Sequence, residues 1–178
     1  MFTLVVGGAA SGKSEYAEQL ILRAGALPRY YVATMEPFGE EARARIARHR
    51  VLRAQKRFES IECPVGLSRV LLPAMGASLL ECLSNLAANE LYSPAGAGGE
   101  QAALAAVVDG VESLRRQCEA LVVVTGEVFS GGSAYAGDTG TYLRVLAAAN
   151  RALAARADAV CEVACGLPRY YKGEGAAL

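Results

Sequence analysis

Short apolar runs alternate with amphipathic stretches along the chain. The runs predict strands at FTLVVGG, YYVAT, FESIEC, SLLEC, LVVVT and DAVCEVACG, and several are apolar throughout. Helical spacing of apolar residues predicts helices in KSEYAEQLILRAGA, from Glu40 to Lys56, and in LSNLAANELY, EQAALAAVVDGVESLRRQCEA and TYLRVLAAANRALAARA. SPAGAGG and SGGSAYAGDTG predict loops. Fully apolar strands alternating with helices are typical of a parallel sheet, so we expect a doubly wound, mainly parallel α/β fold with helices on both faces.

The composition narrows the class of protein. The 178 residues are expected to form one domain, 1–178, with a net charge of zero that favours neither nucleic acid nor an anionic membrane. No stretch approaches the roughly 18 apolar residues of a membrane span, and no export signal is recognisable, so we expect a cytoplasmic protein. The five cysteines form no CxxC pair. They indicate buried free thiols, with Cys161 and Cys165 on one face of a strand, rather than disulfides or a zinc site.

Residues 7–14, GGAASGKS, fit the phosphate-binding pattern G-x4-G-K-[ST] between a predicted strand and a predicted helix. Glycines allow a tight turn whose N–H groups point at phosphate oxygens, and the helix N-terminus adds its positive dipole. In such loops the lysine reaches the β- and γ-phosphates and the serine hydroxyl binds Mg²⁺. The segment therefore predicts a nucleoside triphosphate site made of Gly7, Gly8, Ala9, Ala10, Ser11, Gly12, Lys13 and Ser14, with Ser14 as the metal ligand.

The only histidine of the chain, His49, lies in the basic stretch ARIARHRVLRAQKR. On a helical wheel a buried stripe runs through Ala44, Ala47, Val51, Ala54 and Phe58, and His49 falls on the opposite face near Arg45 and Arg53. Cationic neighbours disfavour imidazolium and keep a neutral, nucleophilic nitrogen. That setting suits a covalent phosphoryl or nucleotidyl intermediate, but a solvated basic face with an incidental histidine is equally compatible with the spacing.

Three functions remain open on these residues alone. The chain could be a small-molecule P-loop kinase, with ATP-dependent phosphorylation and no covalent nucleotide. It could also be a non-catalytic module that uses the loop as a nucleotide switch. Nucleic-acid binding through the basic helix is disfavoured by Glu40, Glu41 and the lack of interleaved aromatics.

The chain resembles the bifunctional adenosylcobinamide kinase/adenosylcobinamide-phosphate guanylyltransferase family of cobalamin biosynthesis. The resemblance covers nearly the whole chain, through GGAASGKS, YVAT, ARIARHR, FESIEC, SLLECLSNL, LVVVTGEV, AAANRALAARAD and GLPRYYKG in this order. It implies a P-loop enzyme that phosphorylates adenosylcobinamide with a nucleoside triphosphate and then transfers GMP from GTP to that phosphate through a guanylylated histidine. His49 matches that histidine.

The same resemblance implies the remaining site residues and partners. Nucleotide contacts are expected from Thr34, Met35, Glu36, Arg50, Val51, Leu52, Arg53, Glu62 and Glu81.

Glu81 also follows an apolar strand, where P-loop proteins place a carboxylate near Mg²⁺, although a surface carboxylate is the alternative. Glu127 is a weaker candidate, and Asp109 is discounted because its surroundings have helical spacing. The expected ligands are Mg²⁺, GTP, ATP and the corrinoid, and the expected assembly is a homo-oligomer, a trimer.

Overall fold

A computed structural model describes residues 1–36, 40, 47, 56–128 and 137–173. The strands are β1 (Phe2–Gly7), β2 (Arg29–Ala33), β3 (Phe58–Glu62), β4 (Gly76–Glu81), β5 (Cys118–Gly126), β6 (Ala159–Ala164) and β7 (Leu167–Lys172). The helices are α1 (Lys13–Ala24), α2 (Leu83–Tyr92), α3 (Glu100–Arg115) and α4 (Gly137–Arg156), with a single 3₁₀ turn at Leu67–Arg69.

The described strands form one sheet in the order β3-β2-β4-β5-β1-β6-β7. All neighbours pair in parallel except β6 and β7, which form an antiparallel hairpin. One buried cluster joins β-strand residues such as Leu80 and Val123 to α2, α3 and α4, and a second joins Leu79 and Val122 to α1. Because successive residues of a strand point to opposite faces, the sheet is covered on both sides. The predicted doubly wound α/β fold is confirmed.

The order of the strands brings the carboxyl ends of four of them together. The carboxyl ends of β1, β2, β4 and β5 meet at one edge of the sheet, with β5 between β1 and β4. Helix α1 leaves the end of β1 and contacts both β5 and β4 on its way toward β2. Ligands of open α/β sheets bind at such carboxyl edges, so the loops there are the first candidates for a site.

The C-terminal strand β7 was not predicted, since DAVCEVACG was expected to be the last strand. β7 has the sequence LPRYYK, contains a proline and is largely exposed. An edge strand that pairs on one side and faces solvent needs no apolar run, and it therefore leaves little trace in hydropathy. Cys165, expected in the strand, instead lies in the β6–β7 turn, exposed and with a φ of 51°.

Three helix boundaries also differ from the prediction. The sequence QCEA, predicted as helix, enters β5 at Cys118, because pairing with β4 overrides local propensity. The segment Gly137–Gly140, predicted as loop, begins α4, with Asp138 in the favourable first turn. Lys56, the predicted last residue of a helix, lies in a turn before β3.

The predicted helix from Glu40 to Lys56 lies mostly outside the described residues. Of its interior only Ala47 is described, and this residue is helical but exposed, although it was predicted in a buried stripe. A wheel ranks the faces of a helix relative to one another, but it does not say which element, if any, covers them. Phe58, the last residue of that stripe, is buried as the first residue of β3 instead.

The cysteines agree in part with the expectation of buried free thiols, since Cys63 and Cys161 are buried and Cys165 is exposed. All five cysteines are free, and burial raises the pKa of Cys161 to about 11, so this thiol is protonated at neutral pH. No helix within the described ranges is long and apolar enough to cross a membrane.

Candidate nucleotide-binding site

The loop between β1 and α1 has the backbone of a phosphate cradle. Gly12 precedes the first helical residue with a φ of 89°, a conformation that glycine adopts without steric cost. A Cβ added at Gly7 would lie 2.5 Å from Ser11 Oγ and 2.8 Å from the carbonyl oxygen of Val163, so this position also requires glycine. Lys13 Nζ donates a hydrogen bond to the carbonyl oxygen of Gly8 at 2.9 Å, across the mouth of the loop. The lysine side chain therefore folds back onto the loop.

The hairpin turn between β6 and β7 braces this loop from the side. The amide of Gly166 donates to the carbonyl oxygen of Ser11 at 2.8 Å. A Cβ at Gly12 would approach Gly166 Cα to 3.0 Å, so the two backbones are in close contact. Within the described residues, the Ser11 hydroxyl is buried and has no hydrogen-bond partner. A buried hydroxyl without a partner in the protein is available to hydrogen-bond a ligand.

Glu81 and Ser14 meet although 67 residues separate them in the chain. The Ser14 hydroxyl donates to Glu81 Oε1, and the Tyr31 hydroxyl donates to Glu81 Oε2 at 2.6 Å. Glu81 ends β4 two residues beyond Leu79, on the same face of the sheet, and α1 packs on that face. The predicted carboxylate at the end of an apolar strand thus lies beside the predicted metal ligand.

Thr34, which the sequence predicts as a nucleotide contact, holds the ends of β2 and β4 together. Its buried hydroxyl accepts from the amide of Cys82 at 2.7 Å and donates to the carbonyl oxygen of Cys82 at 2.8 Å. Its own amide donates to the carbonyl oxygen of Glu81, and its carbonyl oxygen accepts from Asn89 Nδ2. Each polar group of Thr34 is engaged within the protein. Met35 and Glu36 follow at the same edge and are half-buried.

Other candidates lie at or away from this edge. Glu62 ends β3, and Ala33 pairs with both Glu62 and Glu81, so the two carboxylates flank β2 with their strands about 10 Å apart. The amide of Glu127, after β5, donates to the carbonyl oxygen of Gly7 at 2.9 Å. Asp109 lies exposed in the middle of α3, as its helical spacing indicated.

Cys82 separates Glu81 from α2 and is a cap rather than a nucleophile. Its Sγ accepts from the amide of Asn85 at 3.4 Å and so caps the N-terminus of α2. Burial raises the pKa of the Cys82 thiol, which keeps it protonated although Lys13 is nearby.

The comparisons with known proteins agree with these motifs. The cobinamide kinase / cobinamide phosphate guanyltransferase family matches residues 3–170. The chain belongs to this family. The bifunctional adenosylcobalamin biosynthesis protein CobU of Salmonella typhimurium is 31% identical over 180 residues, 94% of this chain and 97% of that protein. The bifunctional adenosylcobalamin biosynthesis protein CobP of Pseudomonas aeruginosa is 31% identical over 98% of this chain and 99% of its own.

One solved structure adds nothing beyond this. The crystal structure of the RadB recombinase aligns with 90% of this chain and 73% of its own, at a TM-score of 0.47 and 18% identity. Similarity at that level has no bearing on function.

For a member of the cobinamide kinase family, the donor set at the loop fits Mg²⁺. Mg²⁺ is usually held by one or two carboxylates together with substrate phosphates and water, rather than by a cage of protein ligands. Ser14 and Glu81 supply a hydroxyl and a carboxylate in contact. Over the described ranges no three His, Cys, Asp or Glu side chains gather into a metal cluster. A metal held by Ser14 and Glu81 would complete its coordination with nucleotide phosphates and water.

The predicted nucleophile and four of the predicted nucleotide contacts belong to one basic segment. His49 and the segment Arg50, Val51, Leu52 and Arg53 lie outside the described residues. Sequence reasoning also missed Tyr31, Asn89 and Gly166. The apolar run YYVAT indicates only that Tyr31 is a core aromatic. The hydrogen-bond partners of Asn89 and Gly166 are too distant in sequence for periodicity to suggest them.

Proposed function

We propose that the protein phosphorylates adenosylcobinamide with a nucleoside triphosphate and then transfers GMP from GTP to the product, giving adenosylcobinamide-GDP. The proposal treats residues 1–178 as one nucleotide-binding domain. Its main support is the contact of Ser14 with Glu81 beside a glycine loop, in a chain that belongs to the cobinamide kinase / cobinamide phosphate guanyltransferase family. The similarity to bifunctional relatives runs over nearly their full length.

In the proposed kinase step the acceptor hydroxyl attacks the γ-phosphorus and a nucleoside diphosphate leaves. The amides of residues 8–14 and the Lys13 ammonium would bind the phosphate oxygens and stabilise the charge of the transition state. Lys13 Nζ, hydrogen-bonded to the carbonyl oxygen of Gly8, would exchange this partner for phosphate oxygens. Mg²⁺, next to Ser14 and Glu81, would neutralise charge on the phosphates.

In the proposed guanylyl transfer a neutral nitrogen of His49 attacks the α-phosphorus of GTP and pyrophosphate leaves. A phosphate oxygen of adenosylcobinamide phosphate then attacks the same phosphorus, the P–N bond breaks, and the histidine is released. Glu36 and Glu62 are proposed nucleotide contacts at the sheet edge, as are Arg50 to Arg53. We further propose a cytoplasmic homotrimer, by analogy with the family.

The decisive experiment is covalent labelling of the purified protein. With Mg²⁺ and α-labelled GTP, we expect label on the denatured protein that is lost in mild acid and survives alkali, as a phosphoramidate behaves. γ-Labelled GTP should leave no label, which distinguishes guanylylation from phosphorylation. Because His49 is the only histidine of the chain, mass spectrometry of the labelled peptide identifies the site directly.

The variants His49→Ala and His49→Asn should lose both the label and GMP transfer while still phosphorylating adenosylcobinamide. Normal GMP transfer by either variant would contradict the assignment of the nucleophile. Phosphorylation without any covalent nucleotide in the wild-type protein would favour the alternative, a small-molecule P-loop kinase. Nucleotide binding without any turnover of acceptor would favour a switch module.

A further inference from the structure

Tyr31 lies in the middle of β2 but reaches the phosphate loop through Glu81. Its side chain is almost completely buried, and its ring meets Phe58 edge-to-face at 5.8 Å between centroids. Its hydroxyl donates to Glu81 Oε2 at 2.6 Å. Tyr31 pairs with Leu79, two residues before Glu81, so both side chains lie on the α1 face of the sheet.

The two oxygens of Glu81 therefore have different partners. Oε1 accepts from the Ser14 hydroxyl and Oε2 accepts from the Tyr31 hydroxyl. A serine hydroxyl has one hydrogen to donate and two lone pairs. When that hydrogen is given to Glu81, the lone pairs of Ser14 are left to face a cation in the loop. The orientation of the Glu81 carboxylate thus sets the orientation of Ser14.

We propose that Tyr31 is a positioning residue for Mg²⁺–nucleotide binding, which acts through Glu81 on the Ser14 hydroxyl. The inference rests on the proposed function, since it requires that Ser14 and Glu81 serve the metal. The Tyr31 hydroxyl is held by a rigid, buried ring and donates to a charged group, and such hydrogen bonds are short and strong. Without it, the Glu81 carboxylate can rotate away from Ser14.

Tyr31→Phe tests this inference because it removes the hydroxyl and keeps the ring packed on Phe58. The measurements are Mg²⁺ titration of the binding of a fluorescent GTP analogue and the electron paramagnetic resonance of Mn²⁺ bound with GTP. Because a hydrogen bond to a charged group is lost and only part of its effect reaches the metal, we expect the Mg²⁺ half-saturation concentration to rise about three- to tenfold. The KM for adenosylcobinamide should not change.

Tyr30→Phe is the matched control. Tyr30 is the neighbouring residue of the same strand, equally buried, and its hydroxyl accepts from the amide of Ala74 at 3.1 Å, away from the loop. Loss of this hydroxyl should lower the melting temperature about as much as Tyr31→Phe does, without moving the Mg²⁺ half-saturation. If both variants shift the Mg²⁺ dependence equally, the effect of Tyr31 is general destabilisation and the proposal is wrong.

The variant Glu81→Gln separates failure of the inference from failure of the proposed function. Glu81→Gln alone should raise the Mg²⁺ half-saturation concentration more than Tyr31→Phe does. Adding Tyr31→Phe to Glu81→Gln should raise it no further. If Glu81→Gln shifts the Mg²⁺ dependence but Tyr31→Phe does not, or if their effects add, the inference is overturned and the metal site stands. If Glu81→Gln itself changes nothing, both are overturned.

Discussion

At the scale of single residues, the candidate site depends on hydrogen bonds between side chains of three different elements. Ser14 comes from α1, Glu81 from β4 and Tyr31 from β2, and the three form one chain of hydrogen bonds. Lys13 is different, since its partner is the carbonyl oxygen of Gly8 within the same loop. The position of Lys13 therefore follows from the local sequence of the loop, whereas the position of Glu81 beside Ser14 depends on how the strands are arranged in the sheet.

Lys13→Ala should abolish tight binding of nucleoside triphosphate and the kinase step without unfolding the protein. Loss of a charge-assisted phosphate contact should weaken binding by about 2 kcal/mol or more, which is roughly 30-fold in dissociation constant. Isothermal titration with GTP measures this effect. Lys172→Ala is the control, because it removes the same charge at a different place. Lys172 Nζ donates to the carbonyl oxygens of Ala154 and Ala155 near the C-terminus of α4. Unchanged kinase turnover in Lys13→Ala would show that the loop is not the phosphate cradle.

At the scale of elements, the β6–β7 hairpin supports the phosphate loop. Its turn carries Cys165 and Gly166 at positive φ and donates one hydrogen bond to the loop at Ser11. The strand β7 buries little apolar surface, so its contribution to the core is small. Its contact with the loop gives the exposed turn of this hairpin a role in holding the backbone on which the phosphate would lie.

Gly166→Ala should weaken nucleotide binding several-fold by disturbing the turn that donates to Ser11. At a φ of 79° a side chain is strained by about 1 kcal/mol, even though a Cβ would meet no atom within 4 Å. Gly98→Ala is the matched control, because Gly98 has a φ of 67°, equally open space, and an amide bonded to the carbonyl oxygen of Glu90. Chemical denaturation should show similar losses of stability for both variants. If GTP titration shows weaker binding for neither variant, the hairpin does not support the loop.

At the scale of the whole molecule, strand order brings distant parts of the chain to one edge. β1 and β4 are not neighbours, and α1 reaches β4 only by crossing over β5. Such crossovers are right-handed in nearly all proteins, which sets the face of the sheet on which α1 lies, the face that also carries Glu81. A ligand at this edge would contact α1, β4 and the loop after β1, so we expect its binding to stabilise the whole fold.

Mg²⁺–GTP should therefore raise the melting temperature of the whole protein. At a ligand concentration 100 times the dissociation constant, the free energy of unfolding rises by about 2.7 kcal/mol, which corresponds to roughly 5–10 °C for a chain of this size. Differential scanning calorimetry with and without Mg²⁺–GTP measures the shift. Lys13→Ala should lose the shift and Lys172→Ala should keep it. Equal shifts in the two variants would place the nucleotide somewhere other than the loop.

Much of the fold follows from the sequence because its signals are local. Apolar runs such as LVVVT, the helical spacing of α1 and the glycines of residues 7–14 each act through residues close in the chain, and the structure has all of them. The helical spacing around Asp109 is a local signal of the same kind, and the structure has the helix there. The family, too, could be recognised from the ordered motifs.

The tertiary structure decided what depends on which elements meet. The contacts of Glu81 with Ser14 and Tyr31, the engagement of Thr34 and the bracing of the loop by Gly166 all join residues far apart in the chain. Periodicity shows that a residue lies on a buried face but not which partner covers it, so strand order had to supply the partners. For the same reason hydropathy did not predict the strand β7, which pairs on one side only. Nor did it predict that Ala47 is exposed on its helix.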